Sequence, residues 1–134
     1  MIYLYCRRRC ISSIKAIQWF NKYGLKVCVK FSGQISREEL ITVLASTDKG
    51  ISDLLKHHSH CSDVELSKHY LIKKMKLNQA IDYIKVNPTL LKSPIIIENN
   101  KVLIGFNQDQ IRIFLAKVYR RKSLLNKIKG NTLL

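Results

Sequence analysis

Leu4-Tyr5-Cys6-Arg7-Arg8-Arg9-Cys10-Ile11-Ser12-Ser13-Ile14-Lys15-Ala16 is the stretch in which the hydrophobic period of the chain changes. The run from Met1 to Tyr5 is apolar and β-prone. It stops at Cys6-Arg7-Arg8-Arg9, and from Cys10 onward Ile14, Ile17 and Phe20 or Tyr23 return at intervals of three and four. The pattern predicts strand, tight loop, helix. A cysteine in the first turn of such a helix faces unpaired backbone N–H groups and the positive end of the helix dipole, both of which favour thiolate over thiol. Cys10 is therefore the candidate reactive group.

Outward from that unit, Gly24 stops the first helix and Leu25–Phe31 alternates apolar with polar except at Cys28. This predicts a second strand parallel to the first, because a helix connects them, with Cys28 covered by packing. Ser36-Arg37-Glu38-Glu39 has the form of a capping box that opens a helix with Leu40, Ile41, Val43 and Leu44 on its apolar side. That helix ends before Asp48-Lys49-Gly50. Gly50 then stands at a helix-to-helix corner where positive φ or a close backbone approach is expected. Residues 66–77 read as short and basic, and Leu77–Ile84 as a helix with Asn78 as its cap, ended by Asn87-Pro88. Ser93-Pro94 precedes the buried strand Ile95-Ile96-Ile97, which is hairpinned through Asn99-Asn100 to a last strand over 101–106. Asn107 caps a final helix with Ile111, Phe114, Leu115 and Val118 as its buried stripe. Beyond it, 119–134 is a basic tail.

Lys56-His57-His58-Ser59-His60-Cys61 raises the question of a metal. His57 and Cys61 would share a face if the segment were helical, with His69 in reserve. The paired-ligand spacing of structural zinc is missing, so the expectation is a solvated polar corner with no metal and no other cofactor.

A chain of 134 residues, 46% apolar and 25% charged, fits one globular domain. Lys and Arg number 24 against 9 Asp and Glu, a formal charge of +15, which implies an acidic partner or a polyanion. No apolar run reaches membrane-spanning length, and the first residues lack the layout of a signal peptide. A cytoplasmic protein with reduced thiols is expected.

Three segments carry a family resemblance. IYLYCRRRCISSIKA (residues 2–16) resembles the opening of the Spx/arsenate-reductase family, whose pattern is strand, short loop, Cys-x-x-Cys or Cys-x-x-Ser, then helix. SREELITVLASTDKGISDLL (36–55) resembles its helical insert, and LLKSPIIIENNKVLIGFNQDQIRIFL (90–115) its closing strand, strand and helix. The resemblance implies an α/β, thioredoxin-like fold with a mixed four-stranded sheet. It also implies a helical insert at roughly 34–88 between the second and third strands, and a single domain over 1–118. Pro94 is then expected to follow a cis peptide bond and to face Cys10.

The regulator side of the family is the nearer match. It implies a transcription regulator, not an enzyme, that binds the C-terminal domain of the RNA polymerase α subunit through a surface including Gly50, Tyr5 and Lys49. Promoter DNA would be met indirectly through the basic surface, and a protease or adaptor through the C-terminal tail. No helix-turn-helix or zinc finger offers independent DNA recognition. Ser13 stands where many such regulators carry the second cysteine of a disulfide switch, so that switch is not expected. Cys6 is read as a loop residue, or alternatively as a partner for Cys10 if geometry permits. The competing reading is an arsenate-reductase-like thiol oxidoreductase using Cys10. Against it, family positions that would supply arginines hold His58 and Ser93.

Overall fold

Two-residue alternation in the strands and apolar stripes on the helices give each element a face to bury. The structure, a computed structural model, describes residues 1–116 together with Leu125 and Ile128. Strand β1 (Ile2–Cys6) runs through the loop at Arg7–Arg9 into helix α1 (Ile11–Lys22) and on to β2 (Val27–Phe31), parallel to β1. β3 (Ile95–Glu98) pairs antiparallel with β1, and β4 (Lys101–Ile104) antiparallel with β3. The hairpin turns at Asn99, φ +56°, a conformation asparagine tolerates. The strand order β2-β1-β3-β4 makes a mixed four-stranded sheet. Between β2 and β3 come α2 (Arg37–Ala45), α3 (Ile51–Leu54), α4 (Asp63–Lys73) and α5 (Leu77–Val86). This is the α/β architecture expected, with its helices inserted between the second and third strands.

The sheet separates two cores. On one side Ile2, Leu4 and Cys6 of β1 pack with Ala16, Trp19 and Phe20 of α1, with Ile96 and Leu103, and with Ile111 and Phe114. On the other, Tyr5, Ile95 and Ile97 pack with Leu40, Val43, Leu54, Ile72, Ile81 and Ile84 of the inserted helices. Alternate residues of β1 thus serve opposite layers, as the pleat requires. Each fully buried Leu or Ile contributes about 1.5–3 kcal/mol relative to exposure.

Several expectations need correction. Ile14 is 51% exposed, and α1 buries Ser13, Ala16 and Trp19 along with the expected Phe20. The two rings, edge to face at 5.4 Å, carry more apolar area than the isoleucines, and Ala16 permits close approach to the sheet. β2 is an edge strand, so Val29 and Phe31 are exposed and Cys28 is only half-buried, not covered. The 66–77 segment belongs mostly to α4, which starts earlier because Ser62 and Glu65 form a capping box. Lys76, not Asn78, caps α5, with Gln79 bonding back to the Lys76 N–H at 3.2 Å. β4 ends at Ile104, where the chain turns at Gly105, φ +80°. Where a helix was expected after Asn107, Gln110–Phe114 form a 3₁₀ helix, not an α-helix, although Asn107 Oδ1 accepts from the Asp109 and Gln110 N–H groups at 2.9 Å. Val118 and the 119–134 tail, Leu125 and Ile128 apart, lie outside the described residues.

Candidate functional site

The end of β1, the start of α1 and the entrance to β3 meet at Cys10. Cys10 is the N-cap of α1 (φ −86°, ψ 113°), its carbonyl accepting the Ile14 N–H at 3.1 Å. Its thiol lies 3.6 Å from the Ser93 carbonyl oxygen. The Ser93 hydroxyl accepts the Arg7 N–H at 3.0 Å and stands 3.2 Å from the Ser13 hydroxyl. The Ser93-Pro94 peptide is cis. Arg9, at φ +56°, lets three residues bridge strand and helix.

This geometry acts on the thiol. Burial pushes Cys10 up, but hydrogen bonds from the Ser13 hydroxyl, from Ser93 and from the Ser13 N–H, with the Arg7 charge, outweigh it and hold Cys10 below the usual thiol value. Cys6 is displaced the other way. It is the last residue of β1, buried, not a loop residue, and burial raises its thiol despite the Ser13 hydroxyl. Both thiols are free. Ser13 thus hydrogen-bonds toward Cys10, beyond merely occupying a second-cysteine position.

Cys10 opens onto a cleft of about 490 Å³ lined also by Arg7, Arg9, Lys56, His57 and Lys92, with no carboxylate among its lining residues. Arg8 turns away and lies over the Phe31 ring at 5.3 Å, so two of the three consecutive arginines share the cleft. Lys56 and Lys92 were not singled out from sequence. An isolated bridge between Leu55 and Leu91 brings them there, with the Lys56 N–H bonded to the Leu90 carbonyl at 2.9 Å. Lys56 is 8% exposed and pairs at 2.5 Å with Glu65. Burial raises the Glu65 carboxyl, but Lys56 and the Ser62 N–H more than compensate and bring it down to about 2.

The histidine corner is not an α-helix. His58–His60 form a 3₁₀ turn, so His57 and Cys61 do not share a helix face. The Cys61 thiol donates to the His57 carbonyl at 3.5 Å, and His57 Nδ1 accepts the Ser59 N–H at 3.2 Å. His69 is buried edge-on to His58 at 4.4 Å, and burial, with the charges of His58 and Lys73, lowers its pKa. No group of three or more metal-ligating side chains occurs among the described residues.

The remaining predicted residues fall elsewhere. Gly50 (φ +71°, ψ −134°) caps the four-residue helix α3. Its N–H donates to Thr47 Oγ1 at 3.1 Å, and a Cβ there would meet nothing within 4 Å. Lys49 beside it is exposed, its N–H donating to Asp53 Oδ2 at 3.1 Å. Tyr5, expected at the same surface, is 2% exposed, and its hydroxyl donates to Glu39 Oε2 at the start of α2. A partner at Gly50 would therefore meet Lys49 directly and Tyr5 only through packing. Among the described residues no helix is long and apolar enough to cross a membrane.

A mixed β2-β1-β3-β4 sheet with a cysteine at the head of the first helix and the carbonyl of a cis Ser93-Pro94 bond beside it defines a thioredoxin-like protein of the arsenate-reductase type. The sequence profile of the ArsC family matches residues 5–114, and the chain belongs to that family. It is 32% identical over 126 residues to the global transcriptional regulator Spx of Streptococcus mutans, covering 92% of this chain and 90% of that one. The Spx of Streptococcus agalactiae serotype V is 31% identical over 126 residues, with the same shares covered. Among solved structures, a protein from Staphylococcus aureus superposes with a TM-score of 0.71 at 24% identity, covering 87% of this chain and all of that one. The arsenate reductase from Vibrio cholerae gives 0.68 at 15% identity, covering 85% and 97%. These superpositions speak to the fold.

Proposed function

We propose that this chain is an Spx-like transcription regulator that binds the C-terminal domain of the RNA polymerase α subunit and alters promoter engagement from the cytoplasm. The observation that carries the reading is the Gly50 corner, a backbone approach open to a partner beside an exposed lysine. Relatives named as global transcriptional regulators support a role in transcription, and the family resemblance points to the α C-terminal domain as the partner. The +15 charge then provides salt-dependent, sequence-tolerant attraction to promoter phosphates once the polymerase has positioned the protein. In this reading residues 1–118 form the regulatory domain, and the 119–134 tail is the part offered to a protease or adaptor.

The test compares Gly50→Arg with Gly50→Ala. Both place a Cβ at positive φ and carry the same backbone penalty of about 1–3 kcal/mol, but only arginine extends a long charged chain into the partner. Affinity for the isolated α C-terminal domain should fall at least tenfold further for arginine than for alanine. Equal affinities in folded variants would remove this surface from the proposal.

A second reading has a specific observation in its favour. Cys10, with a lowered thiol pKa, opens onto a cleft lined by Arg7, Arg9 and Lys92 and by no carboxylate, which suits an oxyanion-reducing thiol enzyme. Arsenate turnover with glutathione or thioredoxin, abolished in Cys10→Ser, would establish it.

A further inference from the structure

The N-terminal βαβ unit has an uneven charge. Residues 1–36 contain three arginines (7–9) and four lysines (15, 22, 26 and 30), and no Asp or Glu. The first carboxylates, Glu38 and Glu39, belong to α2, where Glu39 is engaged by Tyr5 on the opposite layer of the sheet. This basic unit carries an unpaired sheet edge. Among the described residues β2 has β1 on one side and no strand on the other.

The backbone of that edge is available. The Phe31 N–H does not join the ladder to β1 but donates to Gln34 Oε1 at 2.8 Å. By the alternation of a strand, Val27 and Val29 direct their N–H and C=O groups to the same outer side. The side chains of Val27, Val29 and Phe31 stand on the α1 layer, in register with Ile2, Leu4 and Cys6. Val29 is 47% and Phe31 52% exposed. Between this edge and α1 lies a mainly apolar groove of about 550 Å³, walled by Ile17, Leu25, Val27 and Val29 with Lys26 at its rim. It shares no lining residue with the groove beside Lys49 and Ile51.

We infer that the β2 edge receives an extended acidic segment of a protein partner as a fifth strand, its apolar side chains entering the groove toward α1 and its carboxylates meeting the surrounding lysines and arginines. Main-chain pairing supplies affinity, and the alternating pockets supply specificity. Charge selects the partner. A second copy of this chain would bring an equally basic unit against the first, and a phosphate backbone could accept from the outward N–H groups but has no donor for the outward carbonyls and no apolar group for the groove. The inference does not depend on the polymerase reading, because the two surfaces are separate.

The experiment uses the full chain and a fluorescein-labelled seven-residue peptide that alternates glutamate with valine and phenylalanine. The control is a peptide of equal charge with glycine and proline in place of the apolar residues. The first should bind in anisotropy titrations at least tenfold more tightly than the control, and more weakly as salt rises. Val29→Pro removes an outward N–H that β1 does not use, so binding should fall at least tenfold in a folded protein. Should that variant not fold, Lys26→Glu with Lys30→Glu leaves the backbone intact and should weaken binding by the same order. Equal binding of both peptides, or binding unchanged in the variants, would overturn the inference. So would a single-stranded oligonucleotide of equal charge that competes at equal concentration, which would make the edge a nucleic-acid surface. A dimer in sedimentation that Val29→Pro dissolves would make the occupant a second copy and overturn it likewise.

Discussion

Replacing Glu65 with glutamine isolates the pair that holds the loop behind Cys10. Glutamine preserves the shape of the side chain and the capping bond to the Ser62 N–H, so α4 keeps its start while Lys56 loses its counter-charge. The displacement of the Glu65 carboxyl from near 4.5 to about 2 corresponds to about 3 kcal/mol at neutral pH. The carboxylate is 19% exposed, and solvent screening reduces the expected loss to about 2 kcal/mol. Desolvated Lys56, left without a partner, works in the same direction. The folded value lies below the unfolded one, so this stabilisation is complete above about pH 4.5 and disappears as pH falls toward 2. Urea unfolding of parent and Glu65→Gln from pH 7 to pH 2 should therefore give two curves about 2 kcal/mol apart at neutrality that converge in acid. Parallel curves throughout, or a variant as stable as the parent at pH 7, would refute the reasoning.

The Cys10 thiol tests the hydrogen bonds around it: Ser13→Ala removes a hydroxyl donor to the thiolate, so the midpoint of the alkylation-rate profile should move up. The rate at pH 7 should then fall about fivefold, as mass spectrometry of labelled peptides would show. Diamide should leave affinity for the α domain unchanged, since Cys6 is buried and Ser13 cannot bridge; a large change that vanishes in Cys10→Ala would make Cys6 and Cys10 a functional pair. Tyr5→Phe should destabilise the fold by about 1–2 kcal/mol at neutral pH by depriving Glu39 of a donor. Burial raises the Glu39 carboxyl but its hydrogen bonds, Tyr5 first, hold it lower, so that effect should fade on acidification below the usual carboxylate range, as denaturation against pH would read.

The strands and capped helices were legible because their signals are local. The change of period at Cys10, the Ser36–Glu39 capping box and the Asn87-Pro88 stop each depend on neighbours a few residues away. The Ser62–Glu65 box was equally readable and would have moved the start of α4. What eluded the sequence depends on assembly. No local pattern tells that β2 lies at the edge of the sheet, so its alternating valines look buried when they are not. On α1 the competition between isoleucines and aromatic rings is decided by the opposite layer. The cleft beside Cys10 was legible only in part, since Lys56 and Lys92 are far from it in the chain and reach it through the Leu55–Leu91 bridge. Tyr5 looked like a surface residue by resemblance, yet pairing with β3 places it under the inserted helices.

The five residues of β1 form a wall common to two compartments, and this limits where the chain can change length. One residue added within Ile2–Cys6 would exchange Leu4 and Cys6 with Tyr3 and Tyr5 across the sheet. A phenol would then lie among Phe20 and Ile96 with no carboxylate to receive it, and Cys10 would leave its position opposite Ser93. Between β2 and β3, by contrast, loops such as that at Thr47–Gly50 lie at the surface and can lengthen without moving any strand. Variation in length among proteins of this fold should accordingly collect in the inserted helices, while the spacing from β1 to Cys10 stays constant.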